Sequence, residues 1–222
     1  MIKHPALPLT ATTPTHRKMY IPHVNLMSDK NEAVEFMKRF SFATIITVNN
    51  ERPVATHLPF LISLKNDQII LTSHFAKANE QWKDMANHQA LVIFTEPHAY
   101  ISPTHYDKET NVPTWNYISI HAYGRGELVT ESEEVFEILE RTIDNYESSY
   151  KQQWDRLPEE FRSRLSKGIV AFHITVTELQ ARKKLSQNKN EHEQARIIET
   201  LSKSKNTNEN LIADYMKQNL RK

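Results

Sequence analysis

No cysteine occurs anywhere in the 222 residues. Disulfides, iron–sulfur clusters and thiolate zinc sites are excluded, and any redox chemistry must come from a bound cofactor. Glycine is nearly as scarce: Gly124, Gly126 and Gly168 are the whole complement. None forms a G-x-G-x-x-G turn from strand into helix, so a Rossmann-type dinucleotide fold is not expected. No apolar run is long enough to cross a bilayer, and the opening MIKHPALPLTATTPTHRK lacks the apolar stretch of a secretory signal. A cytoplasmic protein without membrane contact is the expectation. The 11 histidines include no H-E-x-x-H and no close pair beside a carboxylate, so no metal is expected. A nucleophile elbow is also missing, and no catalytic residue suggests itself.

Net charge is nearly absent too, at +1, but it is unevenly spread: residues 1–178 carry −4 and residues 179–222 carry +5. Such a basic end is either a solvated helical face or a surface for phosphates, and DNA is the partner the second reading implies.

What is present divides the chain into an extended arm over residues 1–18, a body over 19–185 and a basic helical tail over 186–222. The arm has three prolines and no periodicity. Asp29 and Glu32 resemble a capping box, and Ala33, Val34, Met37 and Phe40 recur at helical spacing, predicting a helix over about 29–40. FATIITV from Phe42, the turn Asn49-Asn50 and an extended run from Pro53 to Ser63 predict a hairpin, with Thr56 and His57 on opposite faces and an edge or bulge at Pro59. Further strands are predicted at Gln68–Ser73, Gln89–Thr95, Tyr117–Val129 and Gly168–Thr177. Helices are predicted at Ala76–Ala86, from Thr130 with a Thr130/Glu133 capping box to Tyr146, and from Pro158 to Gly168. Six strands with hairpin-like neighbours and singly inserted helices point to a mainly β, α+β fold: an antiparallel barrel decorated by helices. Two short amphipathic helices are expected in the tail.

Three patches bear chemistry. Ser73-His74-Phe75-Ala76-Lys77-Ala78-Asn79 sets a hydroxyl, an imidazole, an ammonium and an amide at a predicted strand-to-helix corner, where unpaired N–H groups and Lys77 suit a phosphate. An ordinary helix start with a solvated lysine is the other reading. Trp115-Asn116 offers an apolar plate and a two-way amide, as a flat heteroaromatic ligand requires, or else a core indole and a turn residue. Lys184, Ser186 and Gln187 follow the last predicted strand as a polar linker.

In order along the chain, MYIP, ATHLPF, SHFAKANEQW, YISPTHY, VPTWNYISIHAYGRG and KLSQNK resemble the PaiB family of FMN-binding negative transcriptional regulators, over residues 19–201. The resemblance implies a flavin-binding split barrel, a homodimer and FMN at the subunit interface. It implies that Ser73, His74, Lys77 and Asn79 hold the ribityl phosphate and that Thr56 and His57 lie along the cofactor. Trp115 and Asn116 would then approach the ring, and Lys184, Ser186 and Gln187 would close the site from the other subunit. A flavin-dependent oxidoreductase acting on a small molecule is the alternative function.

Overall fold

The computed structural model describes residues 18–220, so apart from Lys18 the expected N-terminal arm lies outside the described residues. Seven strands form one antiparallel sheet: β1 (Phe42–Asn49), β2 (Arg52–Pro59), β3 (Leu61–Lys65), β4 (Gln68–Ala76), β5 (Gln89–Ile101), β6 (Thr114–Leu128) and β7 (Ile169–Lys184). Their lateral order is β2-β1-β5-β6-β7-β4-β3. The sheet curls into a split barrel, because β2 and β3, at opposite edges, are separated only by Phe60. That residue is 1% exposed, and its N–H donates to Ser41 O at 2.9 Å. The seam between β2 and β4 is stitched by Ser73 Oγ donating to Pro59 O at 2.6 Å.

The hairpin β1–β2 turns on Asn50 and Glu51, and β3–β4 on Asn66 and Asp67; all four take positive φ, which Asn and Asp tolerate best among non-glycine residues. Inside the barrel, Ile45, Leu71, Phe75, Val92, Phe94, Ile118, Ile120, Phe172 and Ile174 are buried, alternating with more exposed neighbours as strand geometry demands. Gly124 marks a tight approach at the bulge in the β6–β7 pairing, where an added Cβ would stand 2.3 Å from Thr175 O.

Helix α1 (Lys30–Arg39) is capped by Asp29, whose carboxylate accepts from the N–H groups of Asn31 and Glu32 at 2.8 and 3.3 Å. It buries Ala33, Val34, Phe36 and Met37. Next come α2 (Gln81–Asn87), α3 (Ser132–Glu147), α4 (Lys151–Arg156) and α5 (Glu159–Lys167). The C-terminal pair is α6 (Glu191–Ser202), with an Asn190/Glu193 capping box, and α7 (Thr207–Leu220). Both pack on the barrel, contributing Ile197, Leu201, Ile212, Ala213 and Met216 to one core.

Several boundary expectations are corrected. The run 53–63 is two strands, because the chain leaves one sheet edge for the other at Phe60. β4 continues through Ala76, since pairing with β7 persists to Ala76↔Ile169, so Ser73, His74 and Phe75 are strand residues and the helix starts only at Gln81. β7 extends to Lys184, held by β6 as far as Tyr117, which places Lys184 on the last strand and not after it. The Thr130/Glu133 box does not form: Glu131 is the cap residue of α3, without a side-chain cap bond.

Candidate functional site

The polar residues fall into two clusters. The first forms where the turn 77–80 passes β2. Asn79 Nδ2 donates to Thr56 Oγ1 at 2.9 Å, and Thr56 Oγ1 donates to Gln81 Oε1 at 2.6 Å. Gln81, 3% exposed, donates its amide to Val54 O and Ile45 O at 3.0 and 3.3 Å, fixing α2 to the β1–β2 hairpin. Asn79 Oδ1 meanwhile accepts from Gln81 N. The cavity beside it, about 610 Å³, is lined by Arg52, Asn79, Gln81, Lys83 and Asp84 among others. Lys83 is paired with Glu80, whereas Arg52 makes no salt bridge among the described residues. Arg52 was not singled out in the sequence; its only signal is its place directly after the hairpin turn.

Thr56 and Asn79 are thus brought together, and Lys77 stands exposed on the same turn, its N–H donating to Gly168 O. Ser73, His57 and His74 are not part of this network. Ser73 is buried at the β2–β4 seam. His57 lies on the outer face, exposed and stacked 6.4 Å from the Phe42 ring. His74 is half-buried on β4 opposite Ala171, and burial holds its imidazole below the ordinary range.

The second cluster forms where β6 begins and β7 ends. Trp115 and Asn116, adjacent on a strand, point to opposite faces. Trp115 is 52% exposed and packs edgewise on Tyr100 with His98 nearby, ring centres 6.0 and 5.6 Å away. Asn116 is fully buried; its Oδ1 accepts from Ser186 Oγ at 3.1 Å and its Nδ2 points at Met216 Sδ, 3.5 Å away. Ser186 reaches this bond from a positive φ of 60°. Lys184 Nζ donates to Thr114 Oγ1 and, at 2.7 Å, to Trp115 O. Burial, then the neighbouring Arg182, pushes the Lys184 ammonium below its ordinary range. Gln187 closes the turn on itself, accepting from Leu185 N and donating to Lys183 O.

The adjoining cavity of about 280 Å³ is lined by Thr114, Lys184, Ser186, Lys189, Asn111 and Tyr106, with Val112 and Asn188. No carboxylate lines it among the described residues. Lys189 sits 3.6 Å over the Tyr106 ring and donates to Asn111 Oδ1 at 3.0 Å. Two ammonium groups, hydroxyls and amides match an anion, while the Trp115 indole lies outside this lining, against Tyr100 and His98.

The clusters are far apart within one chain. Thr56 lies opposite Ile45, Ile45 opposite Val92, and Val92 opposite Ala122, six residues beyond Asn116 on β6. That is about 20 Å along the strands alone. Among the described residues no group of His, Asp and Glu could hold a metal ion, and no helix is long and apolar enough to cross a membrane.

The family model described as "Putative FMN-binding domain" matches residues 19–178. The chain is 39% identical to the protease synthase and sporulation protein PAI 2 of Bacillus subtilis over 207 residues, spanning 92% of this chain and 99% of that protein. The flavocytochrome Anf3 of Azotobacter vinelandii superposes with a TM-score of 0.61 at 17% identity, over 78% of this chain and 74% of that one. A FAD- and haem-binding protein of Mycobacterium smegmatis gives 0.57 at 12% identity, over 72% and 73%. At such identities the two structures speak for the fold alone.

Proposed function

Since the chain belongs to the PaiB family of FMN-binding domains, we propose that it holds FMN between two copies of itself and acts as a flavin-responsive negative regulator of transcription. The observation that carries the flavin reading is the cavity lined by Lys184 and Lys189 with no carboxylate among its described lining residues, Lys184 also holding the backbone carbonyl of the half-exposed Trp115. The residues fit the cofactor: Trp115 can cover a ring face, the ammonium groups can meet its electron-rich edge, and Lys77, Thr56 and Asn79 can meet a phosphate. A bound flavin supplies reversible one- and two-electron storage, and cations near its ring favour the reduced anion. The chain's own part is to orient the ring and shield one face from water.

The separation of the clusters supports the homodimer, because one mononucleotide is served better by the first cluster of one copy and the second cluster of another. The outer face of β2-β1-β5-β6 is available for that contact. Phe42 is 69% and Val48 48% exposed there, and His57, Thr44, Ile93 and His121 form one row across it.

The absorbance spectrum of purified protein before and after denaturation tests the cofactor. Released FMN, and fluorescence titration favouring FMN over FAD, are expected; a colourless protein with no affinity for either flavin refutes the reading.

The regulatory role draws on the relative's sporulation name and on the +5 charge of residues 179–222. Much of that charge is engaged within the chain: Lys183 with Glu32, Arg196 with Asp107, Lys203 with Glu199 and Lys217 with Asp214. Gel shifts over a salt series separate the possibilities, steep salt dependence marking phosphate contacts. An oxidoreductase is the second reading, for which the half-buried His74 and His121, their imidazoles both held below the ordinary range by burial, are the side chains to test as proton carriers. Catalytic reoxidation of reduced flavin by a small acceptor, with no DNA retention, would select it.

A further inference from the structure

A cavity of about 340 Å³ opens between α1, α7 and the end of β7, and nothing in the flavin proposal uses it. Its apolar lining comes from Met27, Phe36 and Tyr215. Four charged residues surround this floor, and three of them are already matched. Lys183, whose side chain is only 10% exposed, meets Glu32 at 2.6 Å, and Glu35 meets Lys38 at 2.9 Å. The fourth, Arg39, makes no salt bridge among the described residues. Its guanidinium is held by two rings, 5.4 Å from the centre of Phe40 and 5.6 Å from that of Tyr215, and by a hydrogen bond to the Tyr215 side chain that leaves the rest of its fork open. A guanidinium positioned by aromatic rings still presents N–H groups in a fork that fits a carboxylate.

The cavity adjoins the flavin cluster through two pairs of consecutive residues. On β7, Lys183 lines the cavity while Lys184 turns to Thr114 and Trp115. On α7, Tyr215 lines the cavity while Met216 touches Asn116. A guest that shifts either element therefore moves a residue of the other site.

We propose that this cavity is an effector site for a small carboxylate with an apolar body, its carboxylate on Arg39 and its body on Phe36, Met27 and Tyr215. The coupling, though not the site itself, rests on the flavin reading. Calorimetry with phenylacetate, 3-phenylpropionate and octanoate, against phenylacetamide and phenethylamine, tests it on the full chain. At least one carboxylate is expected to bind at least about tenfold more tightly than the amide, and Arg39→Gln to remove that advantage. Arg39→Lys, which keeps the charge and loses the fork, is expected to fall between. Arg39 is exposed, so both variants should fold, and unchanged melting temperatures would verify this. The site is overturned if none of the three carboxylates binds, if the amine binds best, or if Arg39→Gln binds them as the unaltered chain does. Flavin titration with the cavity saturated should shift the flavin affinity; an occupied cavity with unchanged flavin affinity overturns the coupling. A chain that binds the carboxylate and no flavin refutes the flavin reading and leaves the effector site standing.

Discussion

Single side chains decide the second cluster. Asn116 and Ser186 satisfy one another out of reach of water, so Asn116→Leu strands the Ser186 hydroxyl and should cost about 1–3 kcal/mol. Ser186→Ala in the same background should recover part of the loss, as a double-mutant cycle in urea would show. Lys184→Met removes an ammonium from the carboxylate-free cavity, and flavin affinity should fall by about tenfold to a hundredfold in a fluorescence titration. Unchanged affinity would take Lys184 out of the site. His74 and His121 give acid sensitivity. Burial lowers both from 6.5, so the unfolded chain binds more protons than the folded one just below that pH. Their contribution is intact above about pH 6.5 and declines as pH falls through the window beneath it. The melting temperature should therefore drop on acidification, and less steeply in the His74→Gln/His121→Gln variant.

At the scale of elements, α2 has seven residues and depends on Gln81, whose amide bridges Val54 O and Ile45 O. Gln81→Ala removes the amide's bonds to Val54 O and Ile45 O and should cost about 0.5–1.5 kcal/mol per bond, together with affinity for any ligand at Thr56 and Asn79. Two glycines on β6 separate rigid from yielding neighbours. At Gly124 a methyl would meet the backbone oxygen of Thr175, whereas at Gly126 it meets only the Met85 side chain from Cγ to Cε, so Gly124→Ala should lower the melting temperature more than Gly126→Ala. Most elements were legible in the sequence, β-branched alternation marking strands, Asn49-Asn50 the hairpin and Asp29 the start of α1, but the split of the run 53–63 into β2 and β3 and the existence of α4 were not. Strand ends were not, because β5, β6 and β7 run on through polar residues whose only reason to be extended is a partner strand distant in sequence. For the same cause Ser73 and His74 read as a helix entrance, while pairing with Phe172 and Ala171 keeps them in β4. Trp115 and Asn116 read as a pair acting together, whereas the strand sends them to opposite faces and buries Asn116. Arg52 carried only its place after the hairpin turn, and the Asn116–Ser186 link no local signal at all.

For the whole molecule, the C-terminal helices are structural members. A chain ending at 205 loses Ile212, Ala213 and Met216 from the core and should melt well below the full chain, in line with large-to-small core losses of about 2–5 kcal/mol per buried side chain. Light scattering should give twice the 26.0 kDa chain mass, and Phe42→Glu should shift it toward the single chain and weaken flavin retention together. A monomer that keeps its flavin would refute the shared site. The handover at Phe60 also governs the order of assembly. β2 and β3 are consecutive in the chain, yet five strands lie between them in the sheet, and the link from β6 to β4 exists only once β7, beginning at residue 169, has been made. Hairpins β1–β2 and β3–β4 can form early and locally, and the β2–β4 seam touches both, but the continuous sheet between them is not complete until most of the polypeptide is available. Such distant contacts make closure slow and cooperative. Amides of β1 that face β5 and of β4 that face β7 should accordingly gain exchange protection in the same late kinetic step, and a nascent chain halted before β7 should remain open to proteases.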